Sequence, residues 1–228
     1  YGPSPESNST STPLEIDGVL YVTVGATRNV VALDATSGQV LWLWRPQEGA
    51  RFDKAPRKGS GRGLSYYTHG DEKRIIVVTP GFFLVSLDAK TGIPDPSFGD
   101  NGSVDMFDGL RLAEGRDDID IGSSMPPLVM NDVVVVGPAH RVSMRPPSKE
   151  NVKGDVRGYS SITGEHLWTF RTIPQRGDVG YETWMNDGAE ISGNAGVWAP
   201  LSGDAELGLV YLPVESATGD RYGADRPG

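Results

Sequence analysis

Val30-Val31-Ala32-Leu33-Asp34-Ala35-Thr36-Ser37-Gly38-Gln39-Val40-Leu41-Trp42 is the stretch that decides the fold. Alternating strand residues run into a tight turn built on Asp34 and Gly38, and a second short strand ends in Trp42. An Asp here can accept hydrogen bonds from the backbone N–H groups of its own turn. A Gly can take the positive φ that closes it, and a Trp carries a ring large enough to fill the space between neighbouring sheets. The pattern returns, altered, as Ser86-Leu87-Asp88-Ala89-Lys90-Thr91-Gly92, with Pro96 where the Trp belongs. It returns again as Gly158-Tyr159-Ser160-Ser161-Ile162-Thr163-Gly164, followed by His166-Leu167-Trp168, with Ser160 in place of the Asp.

Self-similarity at wide, uneven spacing points to a repeat architecture, and strand-turn-strand units of this kind read as blades. The expected fold class is all-β, a partial β-propeller of about four four-stranded antiparallel blades. Residues 1–11 are polar and rich in Pro and Ser, a connector, and residues 12–228 form the partial propeller. The first unit takes strands at 14–16, 19–24, 29–33 and 39–44. The second takes 63–67, 74–79 and 82–87 with a degenerate last strand, and 99–124 is expected as a solvated insertion. The third takes 127–130, 133–137, 156–159 and 166–170, with a loop over 140–154. A fourth begins at 197–201, turns at Gly203-Asp204-Ala205 and continues through 209–214. No long helix is expected.

Composition narrows the function classes. The 30 Gly and 17 Pro fall between β-branched and aromatic runs, as punctuation among tight turns. A formal charge of -9 with scattered basic residues argues against nucleic acid as a partner. The absence of Cys removes disulfides, zinc–thiolate sites and cysteine nucleophiles together. No stretch is long and apolar enough to span a bilayer. The chain starts at Tyr1 without Met or signal peptide and stops at Gly228 just after a strand, so it reads as a piece of a longer protein.

Four irregular motifs go beyond the turn repeat: Arg62-Gly63-Leu64-Ser65-Tyr66-Tyr67, Lys153 to Tyr159 (KGDVRGY), Gly180-Tyr181-Glu182-Thr183-Trp184, and Gly193-Asn194-Ala195-Gly196-Val197-Trp198-Ala199-Pro200. With Leu209-Val210-Tyr211-Leu212-Pro213 and Thr218-Gly219-Asp220, they resemble the pyrroloquinoline-quinone (PQQ)-dependent dehydrogenases, in particular the membrane-associated glucose/quinate/shikimate type. The resemblance covers nearly all of residues 12–228.

The resemblance implies an eight-bladed quinoprotein propeller that holds PQQ and a divalent metal, calcium or magnesium, near its axis. This chain would be its first four blades. By motif position Trp198 would be the aromatic floor under the flat quinone, and Arg62 would bind one of its three carboxylates through two parallel hydrogen bonds. Lys58 lies where some relatives carry a His above the quinone. Thr218 matches a Thr beside the metal and quinone edge. The other metal-site position falls at residues 137–143, where no carboxylate stands, and Asp155, Glu182 and Asp187 are the acidic residues that could compensate. The implied reaction oxidises a sugar, polyol or alcohol hydroxyl by hydride transfer to the quinone, with electrons passing to a respiratory quinone or cytochrome. It also implies a periplasmic protein, membrane-associated through parts outside this chain. The catalytic Asp would lie beyond Gly228, so no catalytic base is assigned here.

Two other readings fit the repeats alone. One is a non-catalytic propeller resembling the lipoprotein scaffold of outer-membrane protein assembly, which would have no use for Arg62, Trp198 or the 193–200 motif. The other is a glycan-binding propeller, which would expose Tyr66, Tyr67, Tyr181 and Trp184 on one face.

Overall fold

The computed structural model describes residues 9–112, 120–141 and 151–218. Within them the deciding turn forms as its residue types require. Asp34 Oδ1 accepts the N–H groups of Thr36 (3.1 Å) and Ser37 (2.7 Å) and the Ser37 hydroxyl (2.7 Å). The Ser37 N–H bond, first among the causes, holds the Asp34 carboxyl below its usual range. Asp88 takes the same set from Lys90 and Thr91. Ser160 replaces Asp without losing the turn, because its hydroxyl oxygen still accepts the N–H groups of Ile162 and Thr163. Gly38, Gly92 and Gly164 sit at φ +73°, +70° and +74°, where a side chain would be strained.

The turns join strands into three four-stranded antiparallel sheets in which chain neighbours are sheet neighbours. The first holds β1 (Leu14–Ile16), β2 (Val19–Val24), β3 (Asn29–Asp34) and β4 (Val40–Trp44). After a short helix, α1 (Ala50–Lys54), the second holds β5 (Ser65–His69), β6 (Glu72–Val78), β7 (Phe83–Asp88) and β8 (Ser103–Asp105). Its fourth strand therefore lies inside the stretch expected as an insertion. Phe83 pairs with Asp105 and Val85 with Ser103, which covers the edge of β7. The three-residue strand carries no alternation long enough to read.

Next come β9 (Ile121–Gly122), β10 (Leu128–Met130), β11 (Val133–Val136), β12 (Ala139–His140), β13 (Val156–Ser160) and β14 (His166–Phe170). The third sheet runs β10-β11-β13-β14, and β12 leaves it to pair with β9 in a small ribbon that the pattern did not announce. A short α2 (Gly188–Ile191) precedes β15 (Ser202–Asp204) and β16 (Leu209–Tyr211), which form half of a fourth sheet. The strand expected over 197–201 starts instead at Ser202. The Val197 N–H bonds the Pro138 carbonyl (2.8 Å), and Pro200 has no N–H for a ladder.

Between the sheets the side-chain period of two does the packing. Ile75 and Val77 of β6 pack toward the first sheet, against Tyr21, Val30 and Ala32. Ile76 and Val78 of the same strand pack toward the third, with Val134, Val136 and Tyr159. Val135 turns the other way, onto Val197, Val210 and Leu212 of the fourth unit. Both faces are buried, so these strands read as unbroken apolar runs. Each fully buried Val or Ile contributes about 1.5–3 kcal/mol relative to exposure.

Trp42 is the bridge between the first two sheets: its indole N–H donates to the Ala89 carbonyl (3.0 Å). Its ring covers Gly92 so closely that a Cβ there would lie 2.4 Å from it. Trp168 instead covers Gly158, its cross-strand partner in its own sheet. The next sheet has two strands among the described residues, and the Trp168 ring, 37% exposed, lines an open apolar hollow with Phe170, Tyr211 and Val214. Replacing Trp42 by Ala is expected to cost about 3–5 kcal/mol in urea unfolding. Trp168→Ala is expected to cost less than half of the Trp42 value.

Behind the fourth unit, Lys153 Nζ donates to the carbonyls of Ala189 (2.6 Å), Ser192 (2.7 Å) and Glu190 (3.3 Å), which α2 leaves unpaired at its end. Burial, then the nearby Arg111, pulls the Lys153 ammonium down to about 8, against the pull of Asp155 and Glu190. The unfolded chain, with a Lys near pKa ~10.4, then binds more protons between pH ~8 and ~10.4, so this residue makes stability rise with pH in that window. Lys153→Met is expected to flatten that rise in urea midpoints measured at pH 8 and pH 10.

Candidate functional site at the strand entrances

The opening strands of successive sheets face one another, β5 against β10 and β10 against β15. The Ser65 hydroxyl donates across this seam to the Pro127 carbonyl. The segments that lead into those strands therefore meet at one end, and backbone bonds tie them in order. Thr12 N–H donates to Arg62 O (3.1 Å), and Arg62 N–H to Ser124 O (2.7 Å). The Ser123 hydroxyl donates to Gly137 O (3.1 Å), β9 pairs with β12, and Val197 N–H closes onto Pro138 O. Arg62 and Trp198 thus stand on two segments of a single row, two sheets apart.

Arg28 holds the first part of this row. It is 1% exposed. Its guanidinium donates to the carbonyls of Val78 (2.8 Å), Ser123 (2.6 Å), Arg57 (2.8 Å) and Gly59 (3.2 Å). Gly61 is required beside it, since a Cβ there would lie 2.7 Å from Arg28 Nε. At the other end, Asn194 and Ala195 both take φ +56° just before Trp198. That strain, of order 1–3 kcal/mol per residue, is over-determined by bonds from Asn194 N–H to Val152 O, from Gly154 N–H to Asn194 O and from the Asn151 amide to Asn194 Oδ1. Gly196 must be Gly, because a Cβ would meet the Pro138 carbonyl at 2.5 Å.

The predicted residues fall as follows. Arg62 is exposed, and its guanidinium has no hydrogen bond or ion pair among the described residues. Trp198 is 44% exposed on its loop, an aromatic face available to a ligand. Lys58 points toward α1, with its ammonium on the Asp53 carbonyl (2.9 Å) and over the Phe52 ring (4.9 Å). Thr218 is buried, and its hydroxyl accepts the Gly193 N–H (2.8 Å) while its own N–H donates to Gly193 O (2.9 Å). It clamps the loop that carries Trp198. Gly219 and Asp220 lie outside the described residues. Tyr67 is buried and bonded to Asp132 (2.6 Å), and Tyr181 and Trp184 pack on Ile173 and Ala189, so the four aromatics of the glycan reading make no common exposed face.

Four residues at the site escaped the motif search. His140 is 1% exposed. Its Nε2 bonds the Val152 carbonyl (2.9 Å), which only accepts, so Nε2 carries the proton. Its Nδ1 faces Glu215 Oε1 at 3.5 Å, and both atoms are buried without a hydrogen-bond partner. Arg57 lies in the same field. Burial pushes its guanidinium down, Glu215 and Asp120 pull it up, and Arg62 pushes it down again. It nevertheless stays charged at any working pH. Its Nε is buried without a partner. Asp120, inside the 99–124 stretch expected as a solvated insertion, accepts from Arg141 Nε (3.0 Å). The signal that could have found these residues is positional: each adjoins an opening strand or the β9–β12 ribbon, and only the fold makes those positions neighbours.

The residues fit an anion better than a hard cation. Among the described residues three guanidiniums, Arg57, Arg62 and Arg141, stand with the carboxylates Asp120 and Glu215, although the chain as a whole is acidic. Among the described residues no group of three His, Cys, Asp or Glu stands close enough to hold a metal ion. The Thr218 oxygen is already used, Asp155 is clasped by Arg111, and calcium needs six to eight oxygens. The calcium or magnesium site implied by the resemblance is not fitted by these side chains.

A family profile described as the PQQ glucose/ethanol/alcohol dehydrogenase β-propeller domain matches residues 2–228. The chain is 29% identical over 224 residues to a glycerol dehydrogenase large subunit of Gluconobacter thailandicus, covering 95% of this chain and 28% of that protein. It is 28% identical over 243 residues to quinoprotein glucose dehydrogenase A of Acinetobacter calcoaceticus, covering 98% of this chain and 29% of that one. Among solved structures, a quinohemoprotein alcohol dehydrogenase of Pseudomonas putida superposes with a TM-score of 0.71 at 26% identity, over 94% of this chain and 29% of the other. The chain therefore spans less than a third of the length of each of these three relatives. On the match over residues 2–228, the chain belongs to the PQQ-dependent glucose/ethanol/alcohol dehydrogenase β-propeller family.

Proposed function

We propose that this chain supplies part of the cofactor cradle of a PQQ-dependent dehydrogenase that oxidises a hydroxyl of a sugar, polyol or alcohol. The observation that carries the proposal is the single row of strand entrances bearing the uncommitted guanidinium of Arg62 and the half-exposed indole of Trp198. When bound, PQQ accepts the hydride that leaves the substrate carbon. The work of this chain is to hold and orient it. Trp198 offers a rigid plane for a flat ring. Arg62 offers paired N–H donors for a carboxylate, and the guanidiniums around it offset the desolvation of a polyanion. Thr218 acts through the loop, fixing Gly193 and so the position of Trp198. Lys58, turned to α1, lies at the rim, where its ammonium adds long-range attraction for an anion. No side chain of this chain is assigned as the catalytic base.

In this reading residues 12–228 act as one partial propeller behind a connector at 1–11. In the whole protein the electrons would go on to a respiratory quinone or a cytochrome, in the periplasm at the membrane. No helix among the described residues is long and apolar enough to cross a bilayer, so the membrane association rests on other parts. The apolar face around Trp168 and Tyr211 is where further blades would pack, and the chain alone is expected to be inactive.

Titration of PQQ into the protein carrying this chain, followed by fluorescence quenching, tests the reading. Removing a charge-assisted bond costs about 1.5–3 kcal/mol, so Arg62→Ala is expected to weaken PQQ about 10- to 150-fold. Trp198→Ala is expected to weaken it by at least about tenfold. Arg62→Ala and Trp198→Ala proteins that both keep the original affinity would refute the cradle.

A further inference from the structure

β1 and β5 run from the strand entrances to the turns at Asp17-Gly18 and Gly70-Asp71, and β7 runs the same way to the turn at Asp88. Between these turns, at the end of the sheets away from Arg62 and Trp198, the first and second sheets leave a hollow of about 510 Å³. That volume lies in the range of small-ligand pockets. Its wall is aromatic: Trp42 and Tyr66, both half-buried, flank Tyr21 with ring centroids 6.0 Å and 6.5 Å from it. The Tyr21 hydroxyl (3.1 Å) and the Trp42 indole N–H (3.0 Å) both donate to the Ala89 carbonyl, so the polar tips are already used.

The repeat does not by itself make this space. Val19 pairs with Asp34 and Arg74 pairs with Asp88, so Val19 and Arg74 hold equivalent places beside equivalent turns. At the next seam Arg74, its side chain 5% exposed, reaches across to donate to the carbonyls of Ser161 (3.1 Å) and Ile162 (2.6 Å). Ser161 follows Ser160 as Ala89 follows Asp88. The long guanidinium side chain therefore closes at the second seam what the short Val19 leaves open at the first.

The rim of the hollow carries both signs of charge. Asp17 is paired with Lys73 (2.8 Å), and Asp88 Oδ1 serves its own turn. Asp71 and the Lys90 ammonium have no hydrogen bond or ion pair among the described residues. A cation entering here meets Lys73 and Lys90, and an anion meets Asp17, Asp71, Glu72 and Asp88. A neutral sugar ring meets neither obstacle. Its hydroxyls donate to carboxylates and accept from ammoniums, and its C–H face can lie on an aromatic ring.

We propose that this hollow binds a neutral sugar ring, seated on Trp42 and Tyr66 with its hydroxyls on Asp71 and Lys90. Of the aromatics in the glycan reading of the sequence only Tyr66 takes part, since Tyr21 and Trp42 join it across the seam between two sheets.

Titration of methyl β-glucopyranoside into the protein carrying this chain, followed by saturation-transfer NMR, tests the site. A dissociation constant of about 1 mM is expected. Val19→Arg places opposite Asp34 the side chain that closes the next seam, and is expected to weaken the glucoside at least about tenfold. Asp71→Ala combined with Lys90→Ala, both on exposed turns, is expected to weaken it at least about threefold without disturbing the fold. Trp198→Ala, at the opposite end of the sheets, is expected to leave it within about twofold. No binding by the parent up to about 20 mM, equal affinity in the parent and the turn variant, or a loss in Trp198→Ala that matches Val19→Arg overturns the proposal. Displacement of the glucoside by tetramethylammonium or acetate at a lower concentration than the glucoside needs overturns the choice of a neutral ligand. Cellotriose bound at least about tenfold more tightly than the glucoside marks a polysaccharide chain as the occupant, and equal affinity marks a free sugar.

Discussion

Everything in this chain depends on sheets that are buried on both faces. β6 and β11 send alternate residues to opposite neighbours, so the second and third sheets are each wedged between two others and cannot shift without opening two cores. That wedging sets the spacing at which the opening strands meet, and with it the distance between the loops that lead into them. The turn Asp residues and Gly38, Gly92 and Gly164 serve the same end. In the first repeat the chain returns sharply enough that Trp42 lies over the neighbouring turn at Gly92.

On that frame the site is built almost entirely from backbone bonds, with Arg28 as the side chain that gathers them. A buried guanidinium satisfied by four carbonyls costs far less than an unpaired one and ties segments that are far apart in sequence. Among the described residues Arg57 and Arg62 are left without an ion pair after the structural Arg has been used, on a chain that is acidic as a whole. Local field, not net charge, is what a polyanionic ligand meets.

Legibility from sequence followed the range of the interactions. The repeat turns were readable because each is closed within five residues, and the third sheet matched its expected strands because its apolar runs are long. The strand at Ser103–Asp105 hid in an apparent insertion, since three residues cannot show a period. The stretch at 197–201 looked like a strand and is a loop, because its N–H partner is a distant carbonyl and not a ladder. The match over residues 2–228 to the dehydrogenase propeller family agrees with the irregular motifs and leaves the scaffold reading without support.

Sequence alone determined the blade turns, the all-β class, the family and the two residue types suited to a flat polyanion, because those depend on local chemistry and motif order. Tertiary structure decided that Thr218 is a loop clamp, that Lys58 turns to α1, and that Arg57, Asp120, His140 and Glu215 share one spot. No spacing rule links residues 57, 120, 140 and 215. They are neighbours only because the packed sheets bring the entrances of their opening strands together.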